Sequence, residues 1–244
     1  MKIGRVDRQN GNTPVLSKGE IEEFACEVLA DYKPNLLKEP GAVGFEHFIE
    51  RYLGLPLFFR HIYYDNPKSP IFGATVFGGA AVKVFDREDE RIKTEIFREE
   101  CVIIDNYVME SGREGMANFT GVHEGAHYLM HSGITFPEKT RRIFCRRESL
   151  DGSAGGAQGP ASGWVEYQAN CFAAAFAMPI STFVPLVNDF LRGNNVWKRC
   201  IDIGEDEELD IVAKNLLPEY VSEVYGVSMR AACNRLKTTG FVRA

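Results

Sequence analysis

The sequence predicts an α+β fold: a small, mostly antiparallel sheet packed with helices, followed by a C-terminal helical subdomain. Three observations predict it. Apolar residues recur at helical spacing from Ile21 to Tyr32, short runs rich in Val, Ile, Phe and Tyr fill the stretch from Leu55 to about Tyr107, and helical periodicity returns from about Glu114. With 244 residues the chain can bury one sizeable core plus a small appendage, but not three domains. The texture divides it into an N-terminal extension over 1–16, a main domain over 17–192 and a helical, helix-turn-helix-like subdomain over 193–244.

The first helix opens at Ser17, where SKGE has the form of a capping box, and runs to the neighbourhood of Pro34. A shorter one spans Phe45 to Leu53, with Gly54 as its stop. The runs LPLFFRHIYY, GATVFG, AAVKVF and ECVIID are read as strands, and the charged DREDER between them as a solvated turn. Two further helices cover about Glu114–His131 and Trp164–Ala177. Between them DGSAGGAQGPASG, residues 151–163, has too little apolar surface to order itself and reads as a flexible insert. From Glu207 the chain returns to short helices, with a glycine turn in EYVSEVYGVSMRAACNRL.

Composition removes several functions. An apolar share of 45% and a charged share of 25% exclude disorder as the main state. The 28 Lys and Arg against 34 Asp and Glu leave a net charge of −6, so a basic footprint for nucleic acid or anionic membrane is absent from the chain as a whole. No long apolar run suggests a membrane span, and the N-terminus lacks the apolar centre of a signal peptide, which makes the cytoplasm the expected compartment. The 6 cysteines contain no C-x-x-C pair and read as reduced, packed thiols.

The strongest chemical signal is HEGAH, His123 to His127, inside the helical segment. Histidines four apart lie about 40° apart in azimuth and roughly 6 Å along the axis, so their imidazoles can share one ion. Glu124 is rotated by about 100° from His123 and can stand beside a water held at the ion without ligating it. On the same wheel Phe119, Val122, Ala126 and Leu129 fall on another side, which separates the polar face from a core face. Catalytic zinc commonly takes three protein ligands and leaves a position for water. His131 cannot be the third, because it stands roughly 12 Å along the axis from His123. Glu166 in WVEYQANCFAAAFAMP is the better candidate. Its helix carries Asn170 and small alanines on one face, with Val165, Ala169, Phe172 and Phe176 on the other. Asn170, one turn on, is placed to hold a ligand histidine's outer N–H.

HEGAHYLMH followed by EYQANCFAAAFAMP resembles the ImmA/IrrE family of zinc metallopeptidases, the DUF955 domain. The resemblance covers roughly residues 17–240, and the Gly-rich insert and Ala177 depart from the family pattern. It implies a gluzincin-like core in which Zn2+ is bound by His123, His127 and Glu166, with Glu124 as catalytic base. It also implies a protein substrate, such as a helix-turn-helix transcriptional repressor. Nucleic acid and membrane are not expected as partners. Tyr128, His131 and Tyr167 are candidates to stabilise an oxyanion, and none is assigned.

Two other readings stay open. A DNA-binding or scaffolding regulator with a structural metal site would use Arg230, Arg235, Lys237 and Arg243 of the tail. A zinc hydrolase acting on another bond is equally compatible with the ligand set, because the metal chemistry does not name the bond. For a peptidase, the run ECVIID is the expected sheet edge for an extended substrate. Arg141, Arg142, Arg146 and Arg147 read as a solvated face or as a guide for an acidic substrate.

Overall fold

The computed structural model describes residues 16–134, 141–146 and 159–243; most of the N-terminal extension, Arg147 and most of the Gly-rich insert lie outside them. Helix α1, Lys18–Tyr32, starts on the predicted capping box: Glu20 N–H donates to Ser17 Oγ, and Ser17 N–H donates to the Glu20 carboxylate at 2.8 Å. It buries Ile21, Ala25, Val28 and Leu29. The next segment is one turn of helix, α2 (Phe45–His47), continued by a π-turn over Phe48–Tyr52 and ended at Gly54, φ 69°.

The described strands are β1 (Leu57–Arg60), β2 (Ile71–Phe77), β3 (Ala80–Asp86), β4 (Arg91–Phe97), β5 (Glu100–Asp105) and β6 (Arg142–Arg146), with a short parallel pair, β7 (Ile201–Asp202) and β8 (Val242–Arg243), near the C-terminus. Four of them form a sheet in the order β1-β5-β2-β6, with only the β1–β5 pair parallel. This corrects the expected substrate edge. The run ECVIID is β5, which is interior: Leu57 pairs with Val102 on one side and Thr75 pairs with Val102 on the other. Its unbroken apolar stretch, Cys101 to Ile104, is what a strand covered on both faces needs. Among the described residues the edges are β1 and β6.

The two faces of the sheet are covered differently. Phe72, Val102 and Ile104 join the main core against the helices, while Ala74, Val76, Cys101 and Ile103 meet Val82, Val84 and Phe97 of the β3–β4 hairpin. DREDER is the hairpin's turn, with Glu90 at φ 48°. The sequence reading missed β4, RIKTEIF, a strand exposed along most of its length with Arg91, Lys93 and Glu95 at every second position. It also missed β6, taken as an arginine-rich solvated face; pairing with β2 buries Cys145 between those arginines.

Helix α3, Glu114–His131, lies under the sheet, and α4 spans Gly159–Ala177. The last residues of the predicted flexible insert, 159–163, therefore belong to α4. Helix α5, Ile180–Gly193, follows at a 65° bend, and no single described helix is long and apolar enough to cross a membrane. The C-terminal part holds α6 (Glu207–Ile211), a π-turn over Val212–Leu216, α7 (Leu217–Tyr225), the left-handed Gly226 and α8 (Met229–Thr238). Val221, Tyr225, Ala232 and Leu236 belong to the same apolar cluster as Val122 and Phe172. Asn118 of α3 ties the parts together, accepting from Phe45 N–H at 3.1 Å and donating to Gly226 O at 2.9 Å.

Two glycines let α3 sink into this core. A Cβ on Gly121 would stand 2.1 Å from Phe45 Cδ2, and one on Gly125 would stand 2.5 Å from Phe48 Cε1. Gly121→Ala gains about 1 kcal/mol of helix propensity but meets an aromatic ring and its own Cβ anchor, an overpacking cost of about 1–3 kcal/mol or more. The expected outcome is net destabilisation by about 1–2 kcal/mol in urea unfolding. Gly19→Ala on α1, with nothing within 4 Å, is the control and should not destabilise.

Candidate active site

The site lies where α3 crosses α4 beneath β2. Helical spacing puts the imidazoles of His123 and His127 one above the other, with Nε2 atoms 2.9 Å apart. From α4, Glu166 presents Oε2 to His123 Nε2 and Oε1 to His127 Nε2, both at 3.3 Å. Three ligands arranged tetrahedrally at about 2.1 Å from one ion stand about 3.4 Å from each other. The separations of 2.9, 3.3 and 3.3 Å therefore fit an ion with zinc's bond lengths. The donor set also fits, since two imidazoles and one carboxylate suit a borderline divalent cation. The three residues the sequence selected as ligands are thus brought together, although 38 residues or more separate Glu166 from the histidines in the chain.

Burial is deeper than the helical wheel of α3 implies. The core face is buried as expected, but so is the polar one: His123, Glu124, His127 and His131 are all 0% exposed. The sheet covers that face on one side and α4 on the other. Such burial holds His127 below its ordinary range and pushes His131 down to about 3, with neighbouring histidines adding to the effect on both. These rings are neutral at neutral pH, the form in which imidazole binds metals. For Glu166 burial opposes the charge, yet the two imidazoles together outweigh it and keep the carboxylate ionised.

Glu124 has its own cradle, which the sequence reading did not find. A Cβ on Gly73 would lie 2.6 Å from Glu124 Oε1, so only glycine leaves room for the carboxyl against β2. Two residues on, the same strand face brings Thr75 Oγ1 to 2.5 Å from Glu124 Oε2. Burial raises Glu124 well above the ordinary carboxylate range, Thr75 opposes this and the charge of Glu166 adds to it. The sequence signal was available in principle: a glycine and a threonine at i and i+2 in an otherwise apolar strand. Cys145 of β6 is the third wall, and its sulfur, His123 and Glu124 form another group of candidate ligand atoms within 4.8 Å. Burial pushes that thiol well above its usual range, which leaves it a poorer ligand than the ionised Glu166.

Asn170 stands one turn beyond Glu166 on α4, half-buried. The outer nitrogen of His127 meets His131 Nδ1 at 3.0 Å, and the outer nitrogen of His123 is buried without a hydrogen-bond partner among the described residues. His131 stands behind His127. Tyr167 stacks on Trp164 at 5.1 Å with both rings partly exposed, and Tyr128 is partly buried.

Of the four cations of the tail, Arg235 is buried, and Arg230, Lys237 and Arg243 are exposed. Arg235 is 1% exposed; its Nη1 donates to Glu22 Oε2 at 2.9 Å and its Nε to Met178 O at 3.1 Å. Arg243 pairs with Asp202 at 2.9 Å. Arg235 alone of the four residues named for nucleic-acid contact is therefore buried within the fold.

No curated protein matches the chain significantly. The profile of the Peptidase_M78 family, described as the IrrE N-terminal-like domain, matches residues 82–237. That span is well over half the chain and includes both histidines, Glu124 and Glu166. On this match, with the two ring nitrogens and the carboxylate meeting at one point inside it, the chain belongs to the Peptidase_M78 family, whose members are of metallopeptidase type.

Proposed function

We propose that the protein is a zinc-dependent endopeptidase with a gluzincin-like site, hydrolysing a peptide bond in a protein such as a helix-turn-helix transcriptional repressor. The observation that carries this reading is the meeting of His123 Nε2, His127 Nε2 and the Glu166 carboxylate within 3.3 Å, with Glu124 beside them but directed to Thr75 and Gly73. The family match supports the peptidase class, and the resemblance to ImmA/IrrE proteins supports the repressor as substrate.

His123, His127 and Glu166 would hold the cation. When bound it would supply Lewis acidity, making a water available as a nucleophile at neutral pH and polarising the scissile carbonyl. Glu124 takes the proton of the attacking water on its unpartnered Oε1 and delivers it to the leaving amine. Its raised affinity for a proton suits the first task, and Thr75 holds the other oxygen while the carboxyl stays within 4.8 Å of a His123 ring nitrogen. The extended substrate pairs with β6, whose free edge among the described residues adjoins the cradle through Cys145.

The test joins metal analysis to cleavage. The wild-type protein is expected to retain about one zinc per chain and to cut a candidate repressor from the same genome at one position. Glu166→Ala should weaken zinc binding by at least about 100-fold, since it removes one of three ligands. Unchanged zinc stoichiometry in that variant would show that Glu166 is not a ligand.

A further inference from the structure

A buried hydrogen-bonded row backs one of the two ligand histidines. His127 Nδ1 lies 3.0 Å from His131 Nδ1, and His131 Nε2 lies 3.0 Å from Gln168 Oε1. All three side chains are fully buried. The row has a direction, which follows from the Gln168 amide oxygen that faces His131, together with the donor and acceptor inventory. An amide oxygen only accepts, so His131 carries its proton on Nε2. A neutral imidazole has one N–H, which leaves His131 Nδ1 as an acceptor. Only His127 can then donate between the two rings, from its own Nδ1. The remaining nitrogen of His127, Nε2, is left with an unprotonated lone pair, and it is the atom 3.3 Å from Glu166 Oε1 and 2.9 Å from His123 Nε2.

The opposite direction would be ruinous for the site. If Gln168 donated through its amide nitrogen, His131 would accept on Nε2 and donate from Nδ1, and His127 would be protonated on the nitrogen that faces Glu166. Residue 168 therefore decides, two hydrogen bonds away, whether His127 can bind a cation. Among the described residues His123 has no equivalent support, since its Nδ1 is buried without a partner there.

We propose that His131 and Gln168 are positioning residues: a relay, anchored by the Gln168 amide oxygen, that locks His127 in the tautomer able to ligate a cation. The relay rests on the reading of His127 as a ligand and goes beyond it by assigning two residues that touch neither cation nor substrate.

The experiment has two arms on the full-length protein. In the first, metal-free protein with 15N-labelled histidine is examined by long-range 1H–15N NMR above neutral pH, where each tautomer has its own pattern of ring cross-peaks. His131 is expected as the Nε2–H form and His127 as the Nδ1–H form; His131 protonated on Nδ1 would overturn the relay. In the second, zinc affinity is measured by competition with a chromogenic chelator. Gln168→Met, which keeps the volume but accepts no hydrogen bond, should bind zinc about 10–100-fold more weakly. Gln168→Glu, whose carboxylate only accepts as the amide oxygen does, should bind as wild type. His131→Phe should lose a similar factor, and adding Gln168→Met to it should cost nothing more, because both remove one row. Wild-type affinity in Gln168→Met, or equal losses in the Met and Glu variants, would refute the proposal. Absence of zinc uptake by the wild-type protein, with the tautomers as stated, would instead refute the metal reading and leave the row's direction standing.

Discussion

Glu124→Gln is expected to keep zinc bound and to lower cleavage by roughly 10³-fold or more, within or above the range typical of general acid–base groups. The variant isolates proton transfer because the rest of the cradle survives it. Glutamine has nearly the same volume as glutamate, so it fits in the space that Gly73 leaves, and its amide oxygen can still accept from Thr75. What it cannot do is take a proton from the attacking water. None of the three ligands is changed, so metal content measured alongside turnover separates the two roles. The fold should also tolerate the change, since a fully buried carboxylate resists ionisation and a neutral amide does not suffer that penalty. Turnover at the wild-type rate by zinc-loaded Glu124→Gln would exclude Glu124 as the base.

The largest stability effect is expected at Glu22 of α1. Arg235 of α8 is 1% exposed and is matched on every side: two nitrogens on the Glu22 carboxylate of α1 and Nε on the carbonyl of Met178, just past the end of α4. Glu22→Ala leaves this guanidinium buried and unpaired. Breaking one side of a buried pair costs about 3–5 kcal/mol, and at about 2–4 °C per kcal/mol for a protein of this size the melting temperature should fall by about 10 °C. The magnitude comes from the stranded charge, not from the lost attraction. Glu22→Leu combined with Arg235→Met should therefore recover most of the loss, because neither charge is then buried. Thermal unfolding of the single and double variants decides it. A fall of less than about 1 °C in Glu22→Ala would show that the pair contributes little.

Much of the site was legible in the chain itself. The spacing of His123 and His127 acts within one helical turn, and a period of 3.6 residues is the same in any helix, so their shared face follows from the sequence alone. The capping box at Ser17 and Glu20 is equally local, and it starts α1 where expected. Glu166 was reachable too, because a lone carboxylate on a face of alanines departs from ordinary patterning. The position of β5 was misjudged for the opposite reason. Edge or interior is a property of the neighbours, and Leu57–Arg60 pairs with β5 from more than 40 residues away.

The sequence by itself determined where α1 and α3 run, the shared face of His123 and His127 and the chemical types that a cation would meet, but not the helix Ile180–Gly193. Only the tertiary structure decided that Gly73 and Thr75 wall in Glu124, that His131 and Gln168 back His127, and that Arg235 is a buried staple and not a basic surface. Each of those outcomes joins side chains from different elements, and burial, which sets their charge and hydrogen-bonding roles, exists only once the elements have packed.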